Sequence, residues 1–246
     1  MLMEIALSPL DLERFGVVTA KAALSAADSA AAVAAWCRAQ SVQMLIARVP
    51  TSAVTLVQQL EQHGAFLTDT LLYYSRKQLV PQAAVLPDGY RWRLATAADA
   101  AEVAALAALT FSGYAGHYHA DARLDHAAAD AVYADWAANS CRSPAVADAV
   151  LLIEHDGRLI AFATLKDRSQ GLLEGVLFGV HPEHQGRRLY QALMQQAQHW
   201  GDANGYRAMT VSTQVVNLAV QKVWCRLGFE PSSSYYTFHQ WFGDRA

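Results

Sequence analysis

The sequence predicts an α/β (α+β) fold: a mixed, mostly antiparallel central sheet flanked by helices, with a smaller N-terminal α/β unit before it. Three observations predict it. After residue 90, apolar segments follow the order strand, two helices, three strands, helix, strand, helix, strand. Asp156-Gly157 sits between two apolar runs and is a favoured two-residue hairpin turn, so the middle three strands form an antiparallel meander. Both halves of the chain also hold a helix, then Gly, then Phe, then a strand with a Tyr-Tyr pair. These are Gly64, Phe66 and Tyr73-Tyr74 in the first half, and Gly228, Phe229 and Tyr235-Tyr236 in the second.

The first half reads as strands near 17–20, 44–49 and 66–76, separated by alanine-rich helices at 26–40 and 54–63. Gly64 stands where a helix C-cap glycine belongs. Residues 81–89 carry Pro81, Pro87 and Asp88-Gly89 and read as a linker. The expected division is a small α/β domain at 1–80, the linker, and a larger domain at 90–246. The larger one opens with a strand at 90–94. Thr96 then offers an N-cap oxygen to a helix at 97–109, with Asp99 in its first turn. A second helix is expected at 127–139, and strands at 149–155, 159–166 and 172–180. A helix at 218–227 carries the apolar stripe Val216, Val220, Val223, Trp224 and Leu227. A last strand is expected at 235–242.

The 246 residues are 53% hydrophobic and 17% charged, which suits a globular chain with a real core. A net charge of −3 gives no basic footprint for nucleic acid. Cys37, Cys141 and Cys225 form no CxxC pair, which argues against a disulfide framework or zinc site. Glu4 and Asp11 stand where a signal peptide would be basic and then apolar, and no apolar stretch reaches the roughly 20 residues of a membrane span. The expectation is a cytoplasmic protein with no membrane and no nucleic-acid partner.

The run from Val180 to Met194 carries the most information. A buried strand ends at Val180, Pro182 breaks it, and a short loop with Gly186, Arg187 and Arg188 opens an amphipathic helix. Free N–H groups at a helix start bind a pyrophosphate well, and adjacent arginines add charge-assisted bonds. This segment resembles the central motif of the GNAT N-acetyltransferase family, V-x-P-x-x-[QR]-G-x-G-x-[GA]. Val180, Pro182, Gln185 and Gly186 match it, while Arg188 and Tyr190 stand where the family has two later glycines. The element order over 90–242 matches the fold of that family, and the N-terminal unit resembles a partial copy of it. A second match is Thr210 to Asn217, followed by Ala219, Lys222 and Leu227-Gly228-Phe229. The Thr-Gln-x-x-Asn run at 213–217 is similar to members of the dTDP-fucosamine acetyltransferase type, which acetylate a nucleotide-linked amino sugar.

The resemblance implies acetyl-CoA, or another acyl-CoA, as co-substrate. It implies a cofactor site at Phe178, Gly179, Val180, Gln185, Gly186, Arg187, Arg188, Leu189, Tyr190 and Asn217. Asn217 equally suits a helix N-cap. The backbone N–H groups of 178–180 would polarise the thioester carbonyl, provided that a strand bulge leaves one unpaired. Strand alternation places Glu174, Val176, Phe178 and Val180 on one face, with Glu174 as the candidate general base. The family's usual tyrosine acid falls at Trp224, which cannot act as an acid. Tyr190, Tyr235, Tyr236 or water are left to stand in for it, and Tyr236 is taken as the second catalytic candidate. Cys225 reads as a buried structural thiol.

The polar and aromatic segment at 111–125 lies where this fold shapes its acceptor pocket. Phe111, Tyr114, His117, Tyr118, His119 and Arg123 suit a small-molecule amino-sugar nucleotide, with rings to stack and a guanidinium for a diphosphate. The His-Tyr-His spacing, with Asp121 or His126, lacks a second ligand cluster, so no metal is expected. Two other readings stand beside the amino-sugar one. The first is a GNAT enzyme for another small amine or a protein N-terminus. The second is a catalytically degenerate GNAT binding module, which Arg188, Tyr190 and Trp224 keep open. The edges of an antiparallel sheet also admit a homodimer.

Overall fold

The apolar runs form ten strands and seven α-helices in the computed structural model, which describes residues 3–243. The first half holds β1 (Glu4–Leu7), α1 (Pro9–Phe15), β2 (Thr19–Ala23), α2 (Ala30–Ala39), β3 (Met44–Pro50), α3 (Val54–Gln62) and β4 (Phe66–Arg76). The second holds β5 (Tyr90–Leu94), α4 (Ala100–Thr110), α5 (His126–Arg142), β6 (Ala149–His155), β7 (Arg158–Asp167) and β8 (Leu172–Val180). It continues with α6 (Leu189–Ala203), β9 (Ala208–Gln214), α7 (Leu218–Arg226) and β10 (Glu230–Trp241). Helices α2, α3, α6 and α7 cover one face of the sheet, and α1, α4 and α5 the other.

All ten strands lie in one sheet, in the order β1-β2-β3-β10-β4-β9-β8-β7-β6-β5. Only β2/β3 and β8/β9 pair in parallel. The halves therefore share a grammar: a parallel strand–helix–strand unit, then a helix, then a last strand. Those last strands change places. β10 pairs with β3 (Tyr235↔Pro50 to Trp241↔Met44), while β4 pairs with β9 (Leu71↔Gln214 to Arg76↔Met209). β4 and β10 also pair with each other, where the Tyr73 and Tyr235 rings meet edge-on at 5.4 Å. The exchange reaches the cores. Tyr74 of β4 packs on Trp224 of α7 with ring centroids 5.4 Å apart and donates to Gln221 at 3.3 Å. Arg76 donates to the Leu227 carbonyl at the end of α7.

Several boundaries differ from the sequence reading. β1 and α1 were not expected, because four strand residues and two helical turns give little periodicity. α2 starts at Ala30 rather than at 26, since Asp28 accepts from the Ser25 N–H (2.7 Å) and hydroxyl (2.8 Å) and holds a turn there. After Thr96 the chain makes a 3-10 turn before α4. Asp99 closes a capping box with Thr96, and Arg93 clamps it with bonds of 2.7 and 3.0 Å. That guanidinium holds the Asp99 carboxyl well below the usual carboxylate range. β10 begins five residues earlier than expected, with a register shift between Pro231 and Ser233 absorbing the proline. Cys225 is exposed, not buried: the 100° step from buried Trp224 turns it to solvent. Val216 leaves the apolar stripe at 77% exposure, since it precedes α7 in the turn.

Because β10 pairs only within the first half and β9 lies against β4, residues 81–246 alone leave β10 without a partner and β9 held on one side only, by β8. Such a piece should lose the cooperative denaturant transition of the full chain. A sharp two-state transition from it would contradict the exchange.

Candidate active site

The site forms where two parallel strands part. β8 and β9 pair from Leu172↔Ala208 to Gly175↔Val211 and then separate. At that point β8 has a bulge: Gly175 pairs with Leu165 and Leu177 with Thr164, so Val176 is the extra residue. The Leu177 N–H donates to the Thr164 hydroxyl at 3.0 Å, and the His181 N–H to the Ile160 carbonyl at 2.8 Å. N–H groups alternate along a strand, so those of Phe178 and Val180 turn away from β7, into the gap left by β9. The bulge also shifts the pleat. Val176 and Leu177 both pack on the α4–α5 side, and Phe178 and Val180 pack with α6. The shared face expected for Glu174, Val176, Phe178 and Val180 is therefore broken after Val176.

Below the gap lies the start of α6. Gln185 donates to the Val180 carbonyl at 3.3 Å and ties the loop to the strand end. Gly186 takes φ +76°, and Arg188 takes φ +63° as the helix N-cap. Arg188 thus adopts the left-handed conformation that glycine adopts freely, at a cost of about 1 kcal/mol. The N–H groups of Leu189, Tyr190 and Gln191 have no acceptor within the helix; the first regular bond is Ala192 N–H to Arg188 O, at 3.0 Å. Gly186, Arg187 and Arg188 are exposed around these donors. Arg187 donates to the Tyr90 hydroxyl at 3.2 Å, and Arg188 makes no ion pair among the described residues. Leu189 is buried in the core.

Tyr190 leaves the outer surface of the loop clear, because its ring turns inward. It packs against Phe178 at 5.9 Å, and its hydroxyl accepts from Trp224 Nε1 at 3.1 Å. Burial pushes this phenol well up, which keeps its proton in place. Trp224 is 2% exposed, so the core role read from its stripe and the hydrogen bond coexist.

A cavity of about 580 Å³ opens on the α4–α5 face of the sheet and reaches through the gap to Tyr190 and Trp224. β8 contributes Glu174 and Val176, and Arg168 donates to one Glu174 oxygen. Asp69 of β4 lies in the same cavity, accepting from Thr70 N–H at 2.7 Å and Gln214 Nε2 at 3.3 Å. Burial raises the Asp69 carboxyl above its usual range. Phe111, Tyr114 and His117 from the α4–α5 segment close the roof, held by Gln214 Nε2 on the Ala115 carbonyl at 2.7 Å.

His117 ends a buried chain. Asp121 accepts from Trp241 Nε1 at 2.8 Å and from His239 Nδ1 at 2.9 Å. The carboxylate makes His239 Nδ1 the donor, so His239 Nε2 accepts from His117 Nδ1 at 2.9 Å. His117 Nε2 is left with a lone pair. Burial, then His239, holds His117 well below the usual imidazole range, so the ring is neutral near pH 7.

The structure brings together Glu174, Phe178, Tyr190, Phe111, Tyr114 and His117 in this cavity. It places other predicted residues elsewhere. Tyr236 packs against the core under α2 and α3, beside Phe238, and does not border the cavity. Tyr118 donates to Asp11 at 2.7 Å and borders a second cavity. His119 pairs with Asp130 at 2.9 Å, and the Arg123 guanidinium lies 5.4 Å over the Trp241 ring. Asn217 caps α7 by accepting from Val220 N–H at 3.5 Å and donates to Thr213 at 3.0 Å, which braces the end of β9. Asp69, Arg48 and His239 were not singled out in the sequence. Nothing local marks them, since they reach the site through strand pairing across the two halves.

The model of the acetyltransferase (GNAT) family matches residues 105–229. The spore coat polysaccharide biosynthesis protein SpsD of Bacillus subtilis (strain 168) is 26% identical over 129 residues. That stretch is 52% of this chain and 44% of SpsD, so the chain spans less than half the length of this curated relative. A GCN5-related N-acetyltransferase from Sphaerobacter thermophilus superposes with TM-score 0.65 at 13% identity, covering 96% of this chain and 76% of that one. A GCN5-related N-acetyltransferase from Kribbella flavida gives 0.59 at 19%, covering 92% and 82%. A tandem GNAT protein from the clavulanic acid biosynthesis pathway gives 0.62 at 15%, covering 94% and 77%. At these identities the structures show the fold.

The Trp224–Tyr190 bond should appear as coupling in a double-mutant cycle. Trp224→Phe and Tyr190→Phe together should destabilise the protein by about 1 kcal/mol less than the sum of the single variants. Additive unfolding free energies would show that the bond carries no energy.

Proposed function

This chain belongs to the GNAT acetyltransferase family, and from that premise we propose that it is an N-acetyltransferase for the amine of a nucleotide-linked amino sugar. The observation that carries the transfer reading is the parting of β8 and β9 beside the open N-terminus of α6. The gap offers two strand N–H groups, the helix start offers three more, and an acceptor cavity lies on the other side. These features fit acetyl-CoA, which supplies an activated acyl thioester. Gly186, Arg187, Arg188 and the first turn of α6 would hold its pyrophosphate. The N–H groups of Phe178 and Val180 would bind the thioester carbonyl, with Gln185 and Asn217 fixing the ends of β8 and β9 around it. The name of SpsD, a polysaccharide biosynthesis protein, supports a sugar acceptor. So does a cavity lined by Glu174, Asp69, His117 and tyrosines rather than by apolar side chains alone.

Glu174 stands two residues before the bulge and is the base we assign to the acceptor ammonium. Its second oxygen takes the proton while Arg168 fixes the first. Tyr190 takes the place first given to Tyr236: its hydroxyl, oriented by Trp224, hydrogen-bonds the departing thiolate. Asp69 is the second reading for the base, favoured by its burial and raised carboxyl. We also propose that residues 1–80 and 90–246 are two repeat-like units joined by 81–89. The proposal places the reaction in the cytoplasm; among the described residues no helix is long and apolar enough to cross a membrane.

Release of CoA–SH from acetyl-CoA should be fastest with dTDP- or UDP-linked amino sugars in a panel that includes free amino acids and polyamines. Faster release with amino acids or polyamines would move the enzyme to another amine class, and no release with any acceptor would support a binding module. Glu174→Gln should lower turnover about a hundredfold at neutral and acidic pH, where the amine is protonated, and less at alkaline pH. An unchanged pH profile would pass the base to Asp69. A base at Asp69 works only above its raised value, so the acid limb would lie above the ordinary carboxylate range and vanish in Asp69→Asn.

A further inference from the structure

A second cavity of about 790 Å³ adjoins the first and is bordered by the first half of the chain. The two share Arg48, His117, Tyr133 and Trp136, so they are parts of one groove on the same sheet face. From β8 to β3 the groove crosses β9, β4 and β10, four strand spacings or roughly 19 Å, before the second cavity begins. A single small amine would leave most of that length empty.

The charges along the groove differ in whether they are already paired. Lys21 pairs with Asp11 at 2.7 Å and Arg14 with Asp135 at 2.9 Å, and Glu4 also borders the second cavity. Arg48, half-buried at the junction, makes no ion pair among the described residues. It donates to the Tyr73 hydroxyl at 3.5 Å, and Asp69 lies within electrostatic reach. Beyond it Ile46 and Val132 add apolar surface between these paired charges, and Trp136 stands 39% exposed beside it. The junction thus offers a guanidinium for a phosphoryl group, a fixed lone pair on His117 for a hydroxyl, and an indole face for a flat ring.

We propose that the second cavity is a nucleoside-diphosphate site. Arg48 binds the diphosphate, and the nucleoside lies in the second cavity against Trp136. The first half of the chain is then the part that recognises the carrier of the acceptor amine. This deepens the amino-sugar reading and rests on it only for the amine end.

The test is calorimetry on the full chain with UDP, dTDP and inorganic pyrophosphate, at saturating CoA so that the α6 cradle is filled. All three should bind. Arg48→Gln should weaken all three more than about tenfold. Trp136→Ala should weaken UDP and dTDP but leave pyrophosphate unchanged. CoA affinity, measured on each variant, reports that it folds; if Arg48→Gln fails that check, Trp136→Ala decides alone. No nucleoside-diphosphate binding, or binding that neither variant weakens, overturns the inference. Acetyl transfer to free amines without nucleoside-diphosphate binding overturns it too, and leaves N-acetyl transfer standing. Variant-sensitive binding without CoA–SH release on any amino sugar supports the site and removes the transfer reading.

Discussion

The pairing of β4 with β9 is the contact on which the rest of the molecule depends. It joins two similar halves into one sheet by having each give its last strand to the other. The cores become shared: Tyr74 of the first half closes the packing around Trp224 of the second. The pairing also sets the floor of the groove. Asp69 and Tyr73 from β4 line the same cavity as Glu174 from β8, so side chains more than 100 residues apart form one surface.

Next to that seam, a single extra residue creates the site. β9 is held by β4 on one side and by β8 only as far as Gly175. The bulge at Val176 lets β8 bend away, frees two N–H groups, and sends the side chains of Glu174 and Phe178 to opposite faces of the sheet. One face then meets the cavity lined by Glu174 and Asp69, and the other meets α6. Tyr190 and Trp224, two of the three departures from the family pattern, meet each other. The tyrosine at the expected glycine position turns inward, and the tryptophan at the expected tyrosine position donates to its hydroxyl. A hydroxyl thus stands beside the gap, though it comes from α6 rather than α7.

Local features were legible in the sequence. The strand–proline–Gln-Gly–helix run marked the start of α6, and the Asp156-Gly157 turn marked the meander. The twin helix–Gly–Phe–Tyr-Tyr pattern marked two strands, which meet at the centre of the sheet. Features that need distant partners were not legible. Strand exchange leaves the hydrophobic pattern of β4 and β10 unchanged, since either neighbour satisfies it. The bulge reverses the facing of Phe178 and Val180, and Gly175 beside it is a strand glycine whose meaning shows only in the pairing with β7. His239 acquires meaning only from Asp121, 118 residues earlier in the chain. Tyr236 and Cys225 show the same limit at a smaller scale: their facing follows from packing that spacing alone leaves open.

The claim on which the account turns is that the gap after Gly175 is the acyl-CoA cleft. A crystal structure of the protein with acetyl-CoA tests it most directly. The account predicts the pantetheine arm between β8 and β9, with the thioester oxygen about 3 Å from the N–H of Phe178 or Val180. It also predicts the pyrophosphate on the first turn of α6. Acetyl-CoA bound elsewhere, with β8 and β9 still empty between Val176 and Val180, would contradict it.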